Sequence, residues 1–149
     1  MADVYDGRVV SALARLTGSV RREFAARIRE EPWALDLGLR PPAYGILQVV
    51  RARGPISQRG LCDRIGIDPG DAVAMIDLLE DAGFVARTPD EHDRRVRNLS
   101  LTPAGAEALG RLDEIASDVM DVVLVKLTKR ERIVLDRLLA KAAFDPPPG

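Results

Sequence analysis

The feature that most constrains the fold is a change in the hydrophobic period at Gly83. Before this glycine, apolar side chains recur at helical spacing in two short segments, 57–64 and 68–82. After it, segments 84–87 and 96–101 alternate apolar and polar residues, which is the period of strands, and a polar stretch separates them. The pattern predicts two short helices joined by a tight turn and followed by a charged hairpin.

Residues at the ends of both short helices support these boundaries. Ser57 and Asp68 are suited to N-cap positions, because their side-chain oxygens can accept a hydrogen bond from a backbone N–H of the first turn. Pro69 follows at the first helical position, where a proline is tolerated. Gly66 and Gly83 are suited to the helix ends, since glycine adopts the left-handed conformation readily.

Longer helices are predicted on either side of this centre. Apolar residues at helical spacing indicate one helix over about 3–30, a second over 41–54 and a third over about 103–127. Thr128 is expected to cap a last helix, and residues 33–40 are expected to form a connector.

The order of elements predicts a mainly α fold with a small β-hairpin wing, in which a winged helix-turn-helix lobe is flanked by long dimerisation helices. We expect one domain over 1–149, with an N-terminal dimerisation arm at 3–40, a DNA-binding lobe at 41–102 and C-terminal dimerisation helices at 103–144. Two long amphipathic arms bury more surface when they meet across a two-fold axis, so a homodimer is favoured over packing within one chain.

Composition narrows the classes of function. The single cysteine, Cys62, excludes an internal disulfide, and together with the single histidine, His92, it excludes an ordinary Cys/His zinc site. We expect Cys62 to pack rather than to sense oxidants. No apolar run suits a bilayer, and residues 1–10 contain two acids and no signal-peptide pattern, so we expect a cytoplasmic protein without a membrane partner. The net charge of −1 requires any polyanion-binding charge to be concentrated locally.

Residues 56–105 resemble the MarR-type transcription regulators. The spacing Asp-x-x-Asp-x-Arg at 90–95, followed by Leu-Thr-x-x-Gly at 101–105, is similar to the wing of that family and its exit into the next helix. Segments 61–66 and 82–85 look like parts of its helix-turn-helix. The resemblance implies a bacterial regulator, more often a repressor, that binds a palindromic operator in double-stranded DNA as an obligate homodimer. The resemblance also implies a small-molecule pocket between the dimer region and the DNA lobe, which members of the family often have.

Four arginines concentrate positive charge on or beside the predicted hairpin: Arg87, Arg94, Arg95 and Arg97. The resemblance implies that Arg95 reaches the minor groove, where arginine loses less hydration than lysine. Asp90 and Asp93 are expected to orient these arginines and to cap the turn. The alternative is an exposed, salt-bridged hairpin without a ligand.

The helix at 68–82 is the expected recognition helix, with Gly70, Asp71 and Ala74 as candidate DNA contacts. Members of the family often have Ser, Thr or Arg in the first turn and a half of this helix, whereas residues 69–74 of this chain are apolar apart from Asp71. That carboxylate either caps the helix, which we favour, or accepts a hydrogen bond from the N4 amino group of cytosine.

The start of the preceding helix is a candidate phosphate site. Backbone N–H groups and the positive helix end favour an anion there. The candidate contacts are Ser57, Gln58, Arg59 and Arg64. An ordinary solvated face is the alternative.

Three aromatic residues, Phe24, Trp33 and Tyr44, lie near the predicted junction of arm and lobe. They suit an aromatic or phenolic effector, although such residues are more often plain core. Two other functions compete with DNA-binding regulation. One is a winged-helix protein-interaction module that has lost DNA binding, which the apolar recognition helix favours. The other is an enzyme, which we do not expect because His92 lies in a charged hairpin and no phosphate loop, metal motif or cofactor motif is present.

Overall fold

Short-range sequence signals set the helix and strand boundaries of the computed structural model, which describes residues 7–142. The elements in chain order are α1 (Arg8–Glu30), α2 (Pro32–Asp36), α3 (Pro42–Arg53), β1 (Ile56–Ser57), α4 (Gln58–Ile65), α5 (Pro69–Asp81), β2 (Val85–Pro89), β3 (Arg97–Leu101), α6 (Pro103–Val123) and α7 (Lys129–Ala142). The fold is mainly α with a small antiparallel sheet, as predicted. The expected start of the first helix at Asp3 and the end of the arm at 144 lie outside the described residues.

The predicted caps are confirmed. The Ser57 hydroxyl accepts a hydrogen bond from the backbone N–H of Gly60 at 3.1 Å. The Asp68 carboxylate accepts from the N–H groups of Gly70 and Asp71, at 2.8 and 3.3 Å. Gly66 has a φ of 60° immediately after α4, so the turn between the two helices is of the left-handed kind that favours glycine.

The structure differs from the sequence expectations in three local respects. Residues 33–40 were expected to form a connector, but α2 covers its first half, because Pro32 starts a new helical turn. The sheet has three strands rather than two, since β1 pairs with β3 through Ile56–Leu99 and Ser57–Asn98. The third long helix ends at Val123 instead of Leu127.

The core joins the lobe to the arms. The largest side chains that are fully buried come from α3, α4, α5, β3 and α6, and they are Ile46, Leu47, Val50, Leu61, Met75, Ile76, Leu79, Leu99, Leu109, Leu112 and Val119. Phe24 and Ile28 add the last turns of α1 to this core. Helix α5 is therefore held on one side by the packing that also holds the arms.

Gly105 fixes the angle at which the arm leaves the wing. A Cβ at this position would lie 1.9 Å from the carbonyl oxygen of Phe84, so only glycine allows the approach. The Thr102 hydroxyl caps α6 through the N–H of Gly105 and donates to the Gly83 carbonyl at 2.6 Å. The Leu-Thr-x-x-Gly spacing thus joins α6 to the end of α5 and the start of β2.

Helix α7 and the start of α1 leave apolar side chains in solvent. α7 has no buried residue in the isolated chain. The exposed apolar residues of the arms are Val9, Val10, Leu13, Val122, Val125, Ile133, Val134, Leu138 and Leu139. Across residues 7–142, no helix combines the length and the apolar character that crossing a bilayer requires.

Candidate nucleic-acid interface and adjoining cavity

The turn of the wing, defined as β2, β3 and residues 90–96 between them, is shaped by two carboxylates. Asp90 accepts from the backbone N–H groups of His92 and Asp93 at 2.8 and 3.0 Å, and from the Asn98 side-chain amide at 2.8 Å. The hydrogen bond from Asn98 and then those from the two N–H groups lower the pKa of Asp90. Asp93 accepts from the N–H of Arg95 at 3.0 Å. Both acids therefore cap the turn, as expected.

The arginine side chains at the tip of the wing are exposed to solvent. Arg94, Arg95 and Arg97 are exposed, and none of them forms an ion pair with a carboxylate within residues 7–142. The acids of the turn bond to backbone N–H groups instead of orienting the guanidinium groups, which corrects that part of the expectation. The tip thus presents three arginine side chains that form no ion pair with the carboxylates of the described chain.

Arg87 differs from the expectation that it contacts DNA. Its guanidinium turns towards α5, where it pairs with the Asp77 carboxylate at 2.5 Å and with Glu80, and it donates to the Gln58 side-chain oxygen at 3.4 Å. Its side chain is only 21% exposed. The cause is the two carboxylates that α5 presents to β2. Arg87 therefore joins the wing to α5 and α4.

We expect replacement of Arg87 by methionine to lower operator affinity about tenfold without changing the salt dependence of binding. Loss of the guanidinium breaks two partly exposed ion pairs, which costs on the order of 1 kcal/mol of folding stability and loosens the wing against α5. Each phosphate contact contributes about one to the slope of log affinity against log salt, so a positioning residue leaves that slope unchanged. Titrations of operator DNA at four salt concentrations measure this slope. A slope reduced by about one would show that Arg87 contacts a phosphate directly.

In the first turn of α5, the carboxylate of Asp71 lies beside Arg40, which the sequence pattern did not indicate as part of the site. Asp71 Oδ1 lies 3.6 Å from Arg40 Nη1, while the capping role belongs to Asp68. The favoured reading of Asp71 as the cap is therefore wrong. Gly70 and Ala74 are exposed on the outer side of the helix.

The start of α4 is more constrained than its sequence indicates. The Ser57 hydroxyl is occupied by its cap and the Gln58 oxygen by Arg87, whereas Arg59 is exposed and Arg64 is half-buried. Cys62, on the same helix, is half-buried, and burial raises the pKa of its thiol. A raised pKa leaves little reactive thiolate.

An open cavity of about 1040 Å³ lies where α1, α3 and α6 meet the turn between α4 and α5. Phe24 and Tyr44 contribute to its wall, and their rings stack with centroids 5.2 Å apart. The Tyr44 hydroxyl donates to Asp113 at 2.8 Å. Burial, followed by this hydrogen bond, raises the pKa of Tyr44 to about 12. Tyr44 therefore offers the cavity its ring and remains protonated.

Trp33 does not line this cavity, contrary to expectation. Its indole N–H donates to Glu31 at 3.2 Å, and the guanidinium carbon of Arg111 lies 4.0 Å from its ring centre. α2 turns the indole towards α6, away from the space between α1 and α3. Trp33 is therefore a packing residue that holds α2 with a cation–π contact.

Among the charged residues that line the cavity, the ones without an ion-pair or capping partner are cationic. Arg21, Arg29 and Arg40 line it together with Asp68 and Asp71. Asp68 caps α5 and Asp71 pairs with Arg40, whereas Arg21 and Arg29 form no ion pair within residues 7–142. In the same range, no cluster of three His, Cys, Asp or Glu side chains could hold a metal ion.

Comparison with known proteins places this geometry among regulators. The MarR family model matches residues 37–96, which include the helix-turn-helix and most of the wing. A putative transcriptional regulatory protein for the hcr operon of Thauera aromatica is 31% identical over 70% of this chain, and the match spans 63% of that protein. The uncharacterised HTH-type transcriptional regulator YcgE of Bacillus subtilis is 30% identical over 74% of this chain and 71% of its own length.

A solved structure shows the same fold. CouR from Rhodococcus jostii, determined with p-coumaroyl-CoA bound, superposes with a TM-score of 0.71 and covers 100% of both chains at 22% identity. The proteins from Thauera aromatica and Bacillus subtilis are named as transcription regulators, which agrees with the expectation of a regulator rather than an enzyme.

Proposed function

This chain belongs to the MarR family of winged helix-turn-helix transcription regulators, and from that premise we propose that it is a homodimeric repressor released from a palindromic operator by an anionic aromatic effector. One observation carries the DNA-binding part. The wing presents Arg94, Arg95 and Arg97 without carboxylate partners in the described chain, on the lobe that also carries α5. An arginine cluster of this kind suits the negative potential of a narrow minor groove.

The lobe is expected to bind duplex DNA through three elements. The N-terminal half of α5 enters the major groove, where base pairs are distinguishable, with Gly70, Asp71 and Ala74 nearest to the bases. Arg95 enters the adjacent minor groove. The start of α4 binds phosphate through its free backbone N–H groups, supported by the Arg59 charge.

The arms support the homodimer. α7 buries none of its side chains in one chain, although Ile133 and Leu138 are large and apolar. A helix whose apolar face stays in water gains about 1.5–3 kcal/mol for each large side chain that a partner covers. We therefore assign α7, the start of α1 and the end of α6 to the two-fold interface.

The cavity supports an effector with an aromatic ring and an acid group. Phe24 and Tyr44 provide an aromatic wall, and Arg21 and Arg29 provide cations for a carboxylate or phosphate. CouR binds p-coumaroyl-CoA, an aromatic thioester with anionic phosphates. The cavity adjoins the first turn of α5 at Asp68 and Asp71, so a ligand there can shift the recognition helix relative to its partner.

Fluorescence anisotropy tests DNA binding directly. The purified protein is titrated into labelled intergenic DNA from upstream of its own gene and into a scrambled duplex, across a range of salt concentrations. Tighter, salt-dependent binding to the upstream fragment is expected. Weak and equal binding to both, repeated with a pool of randomised duplexes, would instead favour a protein-interaction module, which the absence of basic residues in α5 would then explain.

We expect p-coumaric acid or p-coumaroyl-CoA to raise the melting temperature and to weaken DNA binding at least tenfold, whereas neutral 4-vinylphenol does neither. The acid group pairs with the cationic wall, and Arg29→Gln weakens that attraction, since Arg21 remains. Arg111→Gln is the matched control, since Arg111 packs on Trp33 outside the cavity. Calorimetry measures binding to the protein alone. Equal responses to acid and neutral probe in both variants would contradict the anionic class.

A further inference from the structure

The outer face of α5 is apolar where it would meet DNA. Its inner face buries Ala72, Met75, Ile76 and Leu79. The exposed positions of α5 are Pro69, Gly70, Asp71, Val73, Ala74, Asp77 and Asp81. Five of them form a stripe at helical spacing, which consists of Gly70, Val73, Ala74, Asp77 and Asp81. Val73 is 39% exposed, although valine is usually an interior residue. The N-terminal half of this stripe, at 70, 73 and 74, has no polar side-chain atom.

The acids around this patch are already occupied. Asp68 accepts the N–H groups of Gly70 and Asp71, while Asp71 pairs with Arg40 at 3.6 Å. Asp77 pairs with Arg87 at 2.5 Å. α5 contains no arginine or lysine, so the common bidentate contact from a basic side chain to guanine cannot come from this helix. What α5 offers the bases is the hydrocarbon surface of Val73 and Ala74.

The major groove has one hydrocarbon feature of its own, the C5 methyl group of thymine. Contact between methyl groups removes apolar surface from water on both sides. Cytosine presents a C5–H where thymine has its methyl group, and the purines present only polar edge groups there, so neither gives the patch the same apolar contact. An apolar patch therefore discriminates by the methyl contact that only thymine provides.

We propose that Val73 and Ala74 are specificity-determining residues that recognise thymine methyl groups in each operator half-site. This inference rests on the proposed DNA-binding function and adds the chemistry of base recognition to it. The two arginines from outside the helix, Arg40 and Arg87, make the arrangement possible, because they pair with carboxylates of α5 that lie beside the apolar patch.

The test begins with selection of operators from a pool of randomised duplexes by the full-length protein. Each thymine of the selected site is then replaced, one at a time, by deoxyuridine, which lacks only the C5 methyl group. The replacement alters the major groove and leaves the minor-groove face of the base pair unchanged, so it does not touch contacts of the wing. Affinity is measured by anisotropy for the wild type, for Val73→Ala, and for Val96→Ala as a matched control on the wing, where Val96 is similarly exposed.

We expect deoxyuridine at one or two half-site positions to weaken wild-type binding about fourfold each, which corresponds to the loss of one buried methyl group. Val73→Ala should reduce this sensitivity at one of these positions, and Val96→Ala should retain it. The proposal is overturned if the selected site has no thymine that responds. It is also overturned if cytosine is selected and Asp71→Asn abolishes the preference, since Asp71 then recognises the base. Failure to select any duplex would contradict the proposed function itself.

Discussion

Replacement of Arg95 by alanine is expected to reduce operator affinity at least about 30-fold while the fold and the dimer stay intact. The Arg95 side chain is exposed and forms no ion pair in the described chain, so its loss removes no contact that holds the wing. Its backbone N–H, bound by Asp93 at 3.0 Å, remains in the alanine variant. A minor-groove arginine contributes about 1–3 kcal/mol, and a homodimer loses two.

Arg95→Lys is the matched control, because lysine keeps the charge and changes its shape. Lysine should restore the salt dependence of the wild type but only part of its affinity, since a lysine is more strongly hydrated and enters a narrow groove less readily. Anisotropy with the selected operator measures both, while sedimentation and circular dichroism check dimer and fold. Unchanged affinity of Arg95→Ala would refute the assignment of the wing to the minor groove.

The fold could be predicted because its signals are local. Ser57, Asp68 and Gly66 mark helix ends through contacts with residues at most three positions away, so each signal survives in the linear sequence. The change of period at Gly83 separates helix from strand for the same reason. β1 escaped notice because a strand of two residues, Ile56–Ser57, is too short to show a period.

The candidate site was predicted less completely, because side-chain partners depend on residues far apart in the chain. Arg87 was assigned to DNA with the other wing arginines, but its partners Asp77 and Glu80 lie on a different element. The aromatic ring of Trp33 would suit a pocket, but the orientation of α2 places this ring against Arg111. The sequence pattern therefore located the hairpin of the wing, while individual side-chain roles needed the tertiary structure.

Replacement of Leu138 by glutamate is expected to convert the dimer into a monomer at micromolar concentration. Leu138 is 55% exposed on α7, which buries no residue within one chain, so the folded protomer does not depend on this side chain. In the proposed interface the glutamate places a charge among apolar side chains of both subunits, and an unpaired buried charge costs several kcal/mol. The two-fold axis doubles the effect, because each substitution occurs twice in the dimer.

Loss of the dimer should also lower operator affinity by two to three orders of magnitude. A dimer binds its second half-site as an intramolecular event, whereas a monomer lacks that gain in effective concentration. Sedimentation equilibrium and anisotropy on the same samples measure both effects. Leu35→Glu is the matched control, because Leu35 is 56% exposed and lies on α2, outside α1, α6 and α7. If Leu138→Glu remains dimeric, the assignment of α7 to the interface is wrong; if it becomes monomeric but binds DNA with wild-type affinity, each lobe recognises DNA alone and the palindromic operator loses its basis.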